Sequence, residues 1–138
     1  TIDIFAARYR SQKIHTVLGI ESRGFIIGSV LAYALGARFS VVPKGRKLPF
    51  PTHKASYALE YGTDTLEIHS DGLPNHARVV IADDLIATGG TAAATAQLVS
   101  KLGGTVVECA FVIELPFLKG REKLKPYGVF SLLRYDSE

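Results

Sequence analysis

Runs of β-branched and aliphatic residues alternate along this chain with stretches of helical spacing, and that alternation decides the fold class. Thr16-Val17-Leu18-Gly19-Ile20 reads as a buried strand, and Phe25 to Leu35 as a helix stopped by Gly36. Phe39 to Pro43 gives the next strand, and Arg78 to Ala82 another. A glycine-bearing turn then leads into a helix from Thr91 to Leu102, which Gly103-Gly104 ends. Thr105 to Leu115 opens as a strand, Phe130 to Arg134 has the look of an edge strand, and Ile4 to Arg10 suits an opening helix. Strand and helix in alternation imply βαβ crossovers, hence an α/β fold with a mostly parallel twisted sheet and helices on both faces. Ligands of such sheets sit beyond the carboxyl ends of the strands, so the loops after Ile20, Pro43 and Ala82 are the ones to read for function.

Size and composition narrow the setting. The 138 residues fit one domain, residues 1–138, and 47% of them are apolar. A net charge of +3 permits an anionic partner without choosing one. No basic run marks a nucleic-acid tail, and no apolar stretch reaches the ~18 residues of a membrane helix. Cys109 lies inside the apolar run Val106 to Leu115 and reads as a buried, inert thiol. The four histidines, His15, His53, His69 and His76, lack metal-ligand spacing with one another or with Cys109 and are expected at the surface. Lys44 to Asp71 is polar and broken by Pro49 and Pro51, and the alternation in Ser56 to Tyr61 suggests a short strand pair within a long excursion. Excursions of that length are commonly lids or binding loops.

The chemistry concentrates in Val79-Val80-Ile81-Ala82-Asp83-Asp84-Leu85-Ile86-Ala87-Thr88-Gly89-Gly90-Thr91. A buried strand delivers two adjacent carboxylates, and a turn of small residues then opens a helix. Gly89 and Gly90 let backbone approach a ligand, successive N–H groups form an anion nest, and Thr88 and Thr91 add hydroxyls. The helix N-terminus contributes its dipole. This is a phosphate cradle, and the paired acids beside it suit vicinal sugar hydroxyls. It is neither a P-loop nor a dinucleotide fingerprint. Asp-Asp alone would read as a solvated turn.

The string Asp83-Asp84 with Ala87-Thr88-Gly89-Gly90-Thr91 resembles the 5-phosphoribosyl-1-pyrophosphate motif of type I phosphoribosyltransferases. The resemblance implies that Ala87 to Thr91 hold the 5′-phosphate while Asp83 and Asp84 face the ribose hydroxyls. Ala55-Ser56-Tyr57-Ala58-Leu59-Glu60-Tyr61-Gly62 resembles the flexible catalytic loop of the adenine-using members, and Leu66-Glu67-Ile68-His69 continues it. By that likeness Glu60 handles the proton of the base ring, and Tyr57 and Tyr61 belong to a lid spanning about residues 50–64. Loss of the N9 proton is what such a carboxylate would serve. Glu21-Ser22-Arg23-Gly24-Phe25 resembles the family's pyrophosphate loop, with Ser22, Arg23 and Gly24 as binding residues, and an Arg fork suits two phosphate oxygens. Lys44-Gly45-Arg46-Lys47 resembles its basic loop, giving Lys44 and Lys47 to the pyrophosphate. Here Gly45 stands one place early and Arg46 takes the position directly before Lys47. The likeness runs on through Val112 to Leu115, Leu118 to Leu124 and Phe130 to Leu133, segments expected to serve packing and subunit contact.

The resemblance therefore implies a cytoplasmic homodimeric glycosyltransferase of purine salvage, joining adenine to the sugar and releasing AMP and pyrophosphate. Mg²⁺ would act through substrate and water, with no direct protein ligands. Neither nucleic acid nor membrane is an expected partner. Two rivals share the sugar-phosphate site: an enzyme for xanthine, guanine or hypoxanthine, and a non-catalytic regulator that senses the same sugar phosphate and binds nucleic acid. The family also carries an N-terminal hood over the base. No stretch of this sequence matches it, since Thr1-Ile2-Asp3 leads straight into the first helix pattern.

Overall fold

The computed structural model describes residues 1–43 and 73–136 in full and residues 52–59 and 62–69 as backbone. The elements run α1 (Ile2–Tyr9), β1 (Thr16–Ile20), α2 (Arg23–Leu35), β2 (Arg38–Val42), β3 (Thr52–Leu59), β4 (Gly62–His69), β5 (Arg78–Ile86), α3 (Gly90–Lys101), β6 (Thr105–Glu114), α4 (Gly120–Leu124) and β7 (Val129–Arg134). A 3₁₀ turn at Pro116–Leu118 joins β6 to α4.

Five strands form one wholly parallel sheet in the order β2-β1-β5-β6-β7. From β1 the chain steps outward to β2, and from β5 it steps the other way to β6 and β7. The neighbours β1 and β5 therefore mark the topological switch point, where a crevice opens beyond the strand ends. Side chains alternate across the sheet with period two. Val79 and Ile81 of β5 and Cys109 and Phe111 of β6 enter the core under α3 and α4, with Ala96, Leu98, Val99 and Leu124. Val80, Ala82 and Ala110 point the other way, into the core that Phe5, Ala6 and Tyr9 of α1 and Leu31 and Ala32 of α2 complete. Helices cover both faces, as the alternation requires.

Most boundaries lie where the sequence puts them. β1 has the expected ends, and Gly36 caps α2 in the left-handed conformation at φ 65°. The principal departure is β5, which continues past Ala82 through Asp83 and Asp84 to Ile86. Carboxylates are poor strand formers, but here β6 supplies a ladder partner: Asp83 lies opposite Phe111, Leu85 opposite Ile113 and Ile86 opposite Glu114. The helices α1, α2 and α3 each begin one or two residues earlier than their apolar spacing suggests, at Ile2, Arg23 and Gly90. The excursion after β2 holds an antiparallel hairpin, with Thr52 paired to His69 and Leu59 to Gly62, forming a two-stranded sheet of its own. Its strands are longer than the Ser56 to Tyr61 alternation implies, and β3 lies against α3.

Cys109 is fully buried, and burial pushes its thiol up to about 12, so it stays protonated and unreactive. His15 and His76 lie at the surface, where His15 Nδ1 accepts the Arg78 amide at 2.9 Å. The side chains of His53 and His69 fall outside the described residues.

Candidate active site

Beyond the carboxyl ends of β1 and β5 lies a cleft of about 460 Å³. One wall is the β1–α2 turn, Glu21, Ser22 and Arg23. The other is the tip of β5 and the turn into α3, from Asp83 through Ala92, with Phe111 of β6 at the base. Two segments about sixty residues apart in sequence thus meet at the switch point, because β1 and β5 pair in register, Gly19 beside Ala82.

Gly24 explains how closely the two walls approach. It is buried rather than lining the cleft, and a Cβ there would fall 2.9 Å from the Ala82 carbonyl oxygen and 3.0 Å from Asp83 Oδ1. Any side chain would push the start of α2 off the tip of β5. The sequence expects Gly24 to allow a close approach to ligand, and the approach the structure gives it is to the second wall of the site.

The β5–α3 turn is built as a cradle. Gly89 caps α3 at φ 83°, a conformation that disfavours any residue with a Cβ, and no acidic residue stands in the helix's first turn. Gly89, Gly90 and Thr91 line the cleft, so α3 begins at its wall with no carboxylate of its own first turn there. Thr88 is exposed and Thr91 half-buried, so hydroxyls remain accessible at either end of the turn. The acids are tied into their surroundings. Asp83 Oδ1 accepts the Asp84 amide at 2.8 Å, and Asp84 Oδ2 lies 2.8 Å from Arg23 Nε. The peptide between Glu21 and Ser22 is cis.

Ser22, Arg23, Asp83, Asp84, Ala87, Thr88, Gly89, Gly90 and Thr91 accordingly converge on one cleft. Lys44, Lys47, Glu60 and Tyr61 lie outside the described residues, as do most of the connections of the expected lid. Tyr57 falls within β3, opposite Asp64. Glu21, Leu85, Ile86, Ala92 and Phe111 also line the cleft without having been singled out by sequence. Glu21, Leu85 and Ile86 sit inside the quoted motifs, and Ala92 directly follows one. Phe111 reaches the site only through β6 pairing, which no local pattern reveals. Among the described residues no three His, Cys, Asp or Glu side chains converge as a metal cage. The carboxylates of Asp83 and Asp84 would suit the water shell of a Mg²⁺ that arrives with substrate, without binding the ion directly.

Residues 2–136 match the family model described as phosphoribosyl transferase domain. The adenine phosphoribosyltransferase of Syntrophotalea carbinolica is 57% identical over 134 residues, which cover 97% of this chain and 78% of that protein. Among solved structures, adenine phosphoribosyltransferase from Rhodothermus marinus superposes with a TM-score of 0.92 at 50% identity, over 97% of this chain and 77% of that one. The Saccharomyces cerevisiae enzyme, complexed with an imino-altritol bisphosphate and adenine, gives 0.91 at 47% identity over 96% and 77%. The two-walled cleft and these likenesses lead to one conclusion: the chain belongs to the adenine phosphoribosyltransferases, pentosyl-transferring enzymes of the phosphoribosyl transferase domain family.

Proposed function

We propose that this cleft carries out the family reaction, transfer of the phosphoribosyl group from 5-phosphoribosyl-1-pyrophosphate to adenine, with roles divided between its two walls. The observation that carries the division is the joining of the Ser22-Arg23 turn and the Asp83 to Thr91 segment around one cavity. The α3 amides and the hydroxyls of Thr88 and Thr91 take the 5′-phosphate. Asp83 and Asp84 accept from the ribose hydroxyls. Ser22 and Arg23 hold the pyrophosphate, with Gly24 fixing their turn, and Lys44 and Lys47 join them from the basic loop.

In the reaction a bond forms between adenine N9 and ribose C1 while the bond from C1 to the pyrophosphate oxygen breaks, its electron pair leaving with pyrophosphate. Positive charge builds on the sugar, beside the carboxylates of Asp83 and Asp84 in this reading, and negative charge builds toward Arg23. The N9 proton passes to Glu60, which the lid with Tyr57 and Tyr61 brings to the base as it excludes water. Mg²⁺, when bound with the sugar pyrophosphate, neutralises charge on the leaving group.

Assembly and setting complete the reading. Ile26, Val30 and Tyr33 form a stripe on α2 at helical spacing and are 70%, 45% and 88% exposed in a single chain. Apolar stripes of this kind mark contact surfaces, which supports a homodimer built on α2. A cytoplasmic location fits the lone buried thiol, and no helix among the described residues is long and apolar enough to cross a membrane. The test is a pyrophosphate-release assay with adenine, guanine, hypoxanthine and xanthine side by side. Release with adenine at least about a hundredfold faster than with the others supports the reading. Comparable rates with a 6-oxopurine would overturn the base assignment.

A further inference from the structure

Against the β5–α3 turn, and outside the lining of the cleft, stands the segment that connects β6 to β7. Its contact with the turn is backbone on backbone. A Cβ at Gly120 would lie 2.6 Å from the Ala87 carbonyl oxygen and 2.7 Å from Ile86 Cγ1. Reciprocally, a Cβ at Gly89 would lie 2.6 Å from the Gly120 carbonyl oxygen. The Leu115 amide donates to the Ile86 carbonyl at 3.0 Å, joining the same two segments one step earlier. The contact leaves no room for a side chain at Gly89 or Gly120.

Gly120 is in turn fixed by its neighbour. The Arg121 guanidinium donates through Nε to Glu114 Oε2 at 2.7 Å and through Nη2 to Oε1 at 2.9 Å, and through Nη1 to the Val129 carbonyl at 2.7 Å. Ser131 Oγ donates to Glu114 Oε1 at 2.7 Å, and Arg134 Nε lies 3.8 Å from the same oxygen. Glu114 is only 3% exposed. Burial raises its carboxyl, but the Arg121 fork and the Ser131 hydroxyl outweigh that and hold it below the ordinary carboxylate range. A buried carboxylate with a two-pronged partner is a stiff joint, since guanidinium and carboxylate planes meet in one orientation. None of these residues lines the cleft.

We infer that Gly120 and Arg121 are positioning residues for the 5′-phosphate: the Glu114–Arg121 joint sets Gly120, and Gly120 sets the path of the Ala87 to Gly89 turn. The inference rests on the assignment of that turn to the 5′-phosphate. It predicts a loss confined to one end of the substrate. A displaced Ala87 to Gly89 turn would lose amides aimed at a phosphate on C5, while the Ser22-Arg23 wall, held by Gly24 on β5, would keep its geometry.

The experiment is titration calorimetry of Gly120→Ala and Arg121→Lys, with ribose 5-phosphate as one probe and magnesium pyrophosphate as the other. Arg121→Lys keeps the charge and removes the fork, and it stands in should Gly120→Ala not fold. Thermal unfolding identifies which variants are folded. A folded variant should bind ribose 5-phosphate at least about tenfold more weakly, the order expected for losing one charge-assisted hydrogen bond, with pyrophosphate affinity unchanged within about twofold. Equal losses for both probes would mean a general structural role and overturn the inference, as would unchanged ribose 5-phosphate binding in both folded variants. Failure of the unaltered protein to bind ribose 5-phosphate at all would instead overturn the assignment of the turn and the inference with it.

Discussion

Arg23 and Asp84, assigned to adjacent parts of the substrate, its pyrophosphate and its ribose, are joined to each other by an ion pair, Nε to Oδ2 at 2.8 Å. Any anion that recruits the Arg23 guanidinium must compete with the Asp84 carboxylate for it. Arg23 is well placed to move, since its side chain is 74% exposed against 28% for Asp84. Replacing Asp84 by Asn should therefore tighten binding of metal-free pyrophosphate, by roughly threefold to tenfold, while slowing turnover. Arg23→Ala should weaken the same binding by about tenfold or more. In an Arg23→Ala background the Asp84→Asn gain should shrink, which calorimetry across the double-mutant cycle would measure. A gain of equal size with and without Arg23 would mean that only long-range charge is at work.

Glu60→Gln separates binding from chemistry. The amide keeps size and hydrogen bonding but takes no proton at neutral pH. Turnover should fall roughly 10²-fold or more with far less change in binding of the sugar pyrophosphate. Steady-state kinetics beside calorimetry provides the measurement, and a loss under about threefold would remove Glu60 as the base.

Acid should weaken the fold through Glu108. Its carboxylate takes Arg8 Nε at 2.6 Å and Nη2 at 3.0 Å, and the Tyr9 hydroxyl at 2.7 Å, tying α1 to β6. The Arg8 guanidinium also stacks over the Phe130 ring at 3.9 Å. Burial raises the Glu108 carboxyl, but the Arg8 and Tyr9 bonds together lower it below its ordinary value of 4.5. A lowered acid stabilises the fold fully above its unfolded value, and the contribution is lost as pH falls through the folded one. Thermal midpoints of the unaltered protein should thus decline below about pH 4.5, and Glu108→Gln should flatten that decline. At neutral pH the same substitution should cost about 1–3 kcal/mol, read from urea unfolding.

Assembly can be tested on α2. Sedimentation of the unaltered chain at micromolar concentration should show a dimer, and Ile26→Glu with Tyr33→Glu should give monomers that remain folded. Both positions are exposed, so the charges disturb no core. A dimer that survives both changes would move the interface elsewhere.

The sheet, its helices and the cleft-lining motifs are legible in the sequence because each is written locally. Apolar runs give the strands, Gly36 gives a helix end, and the Asp83 to Thr91 string carries both acid pair and cradle. What escapes is created by pairing between distant segments. The extension of β5 to Ile86 depends on β6, as does the arrival of Phe111 at the cleft. The Arg23–Asp84 bond joins residues whose spacing along the chain carries no signal. Gly120 looks like an ordinary helix start until Ala87 is seen lying against it.

The β3–β4 hairpin forms its ladder with itself alone and contributes no strand to the five-stranded sheet. The ladder of that sheet therefore does not run through the hairpin, which touches the core chiefly through α3 and β2 and so gives evolution a replaceable cassette. A different hairpin could be spliced between β2 and β5 without re-registering a strand of the parallel sheet.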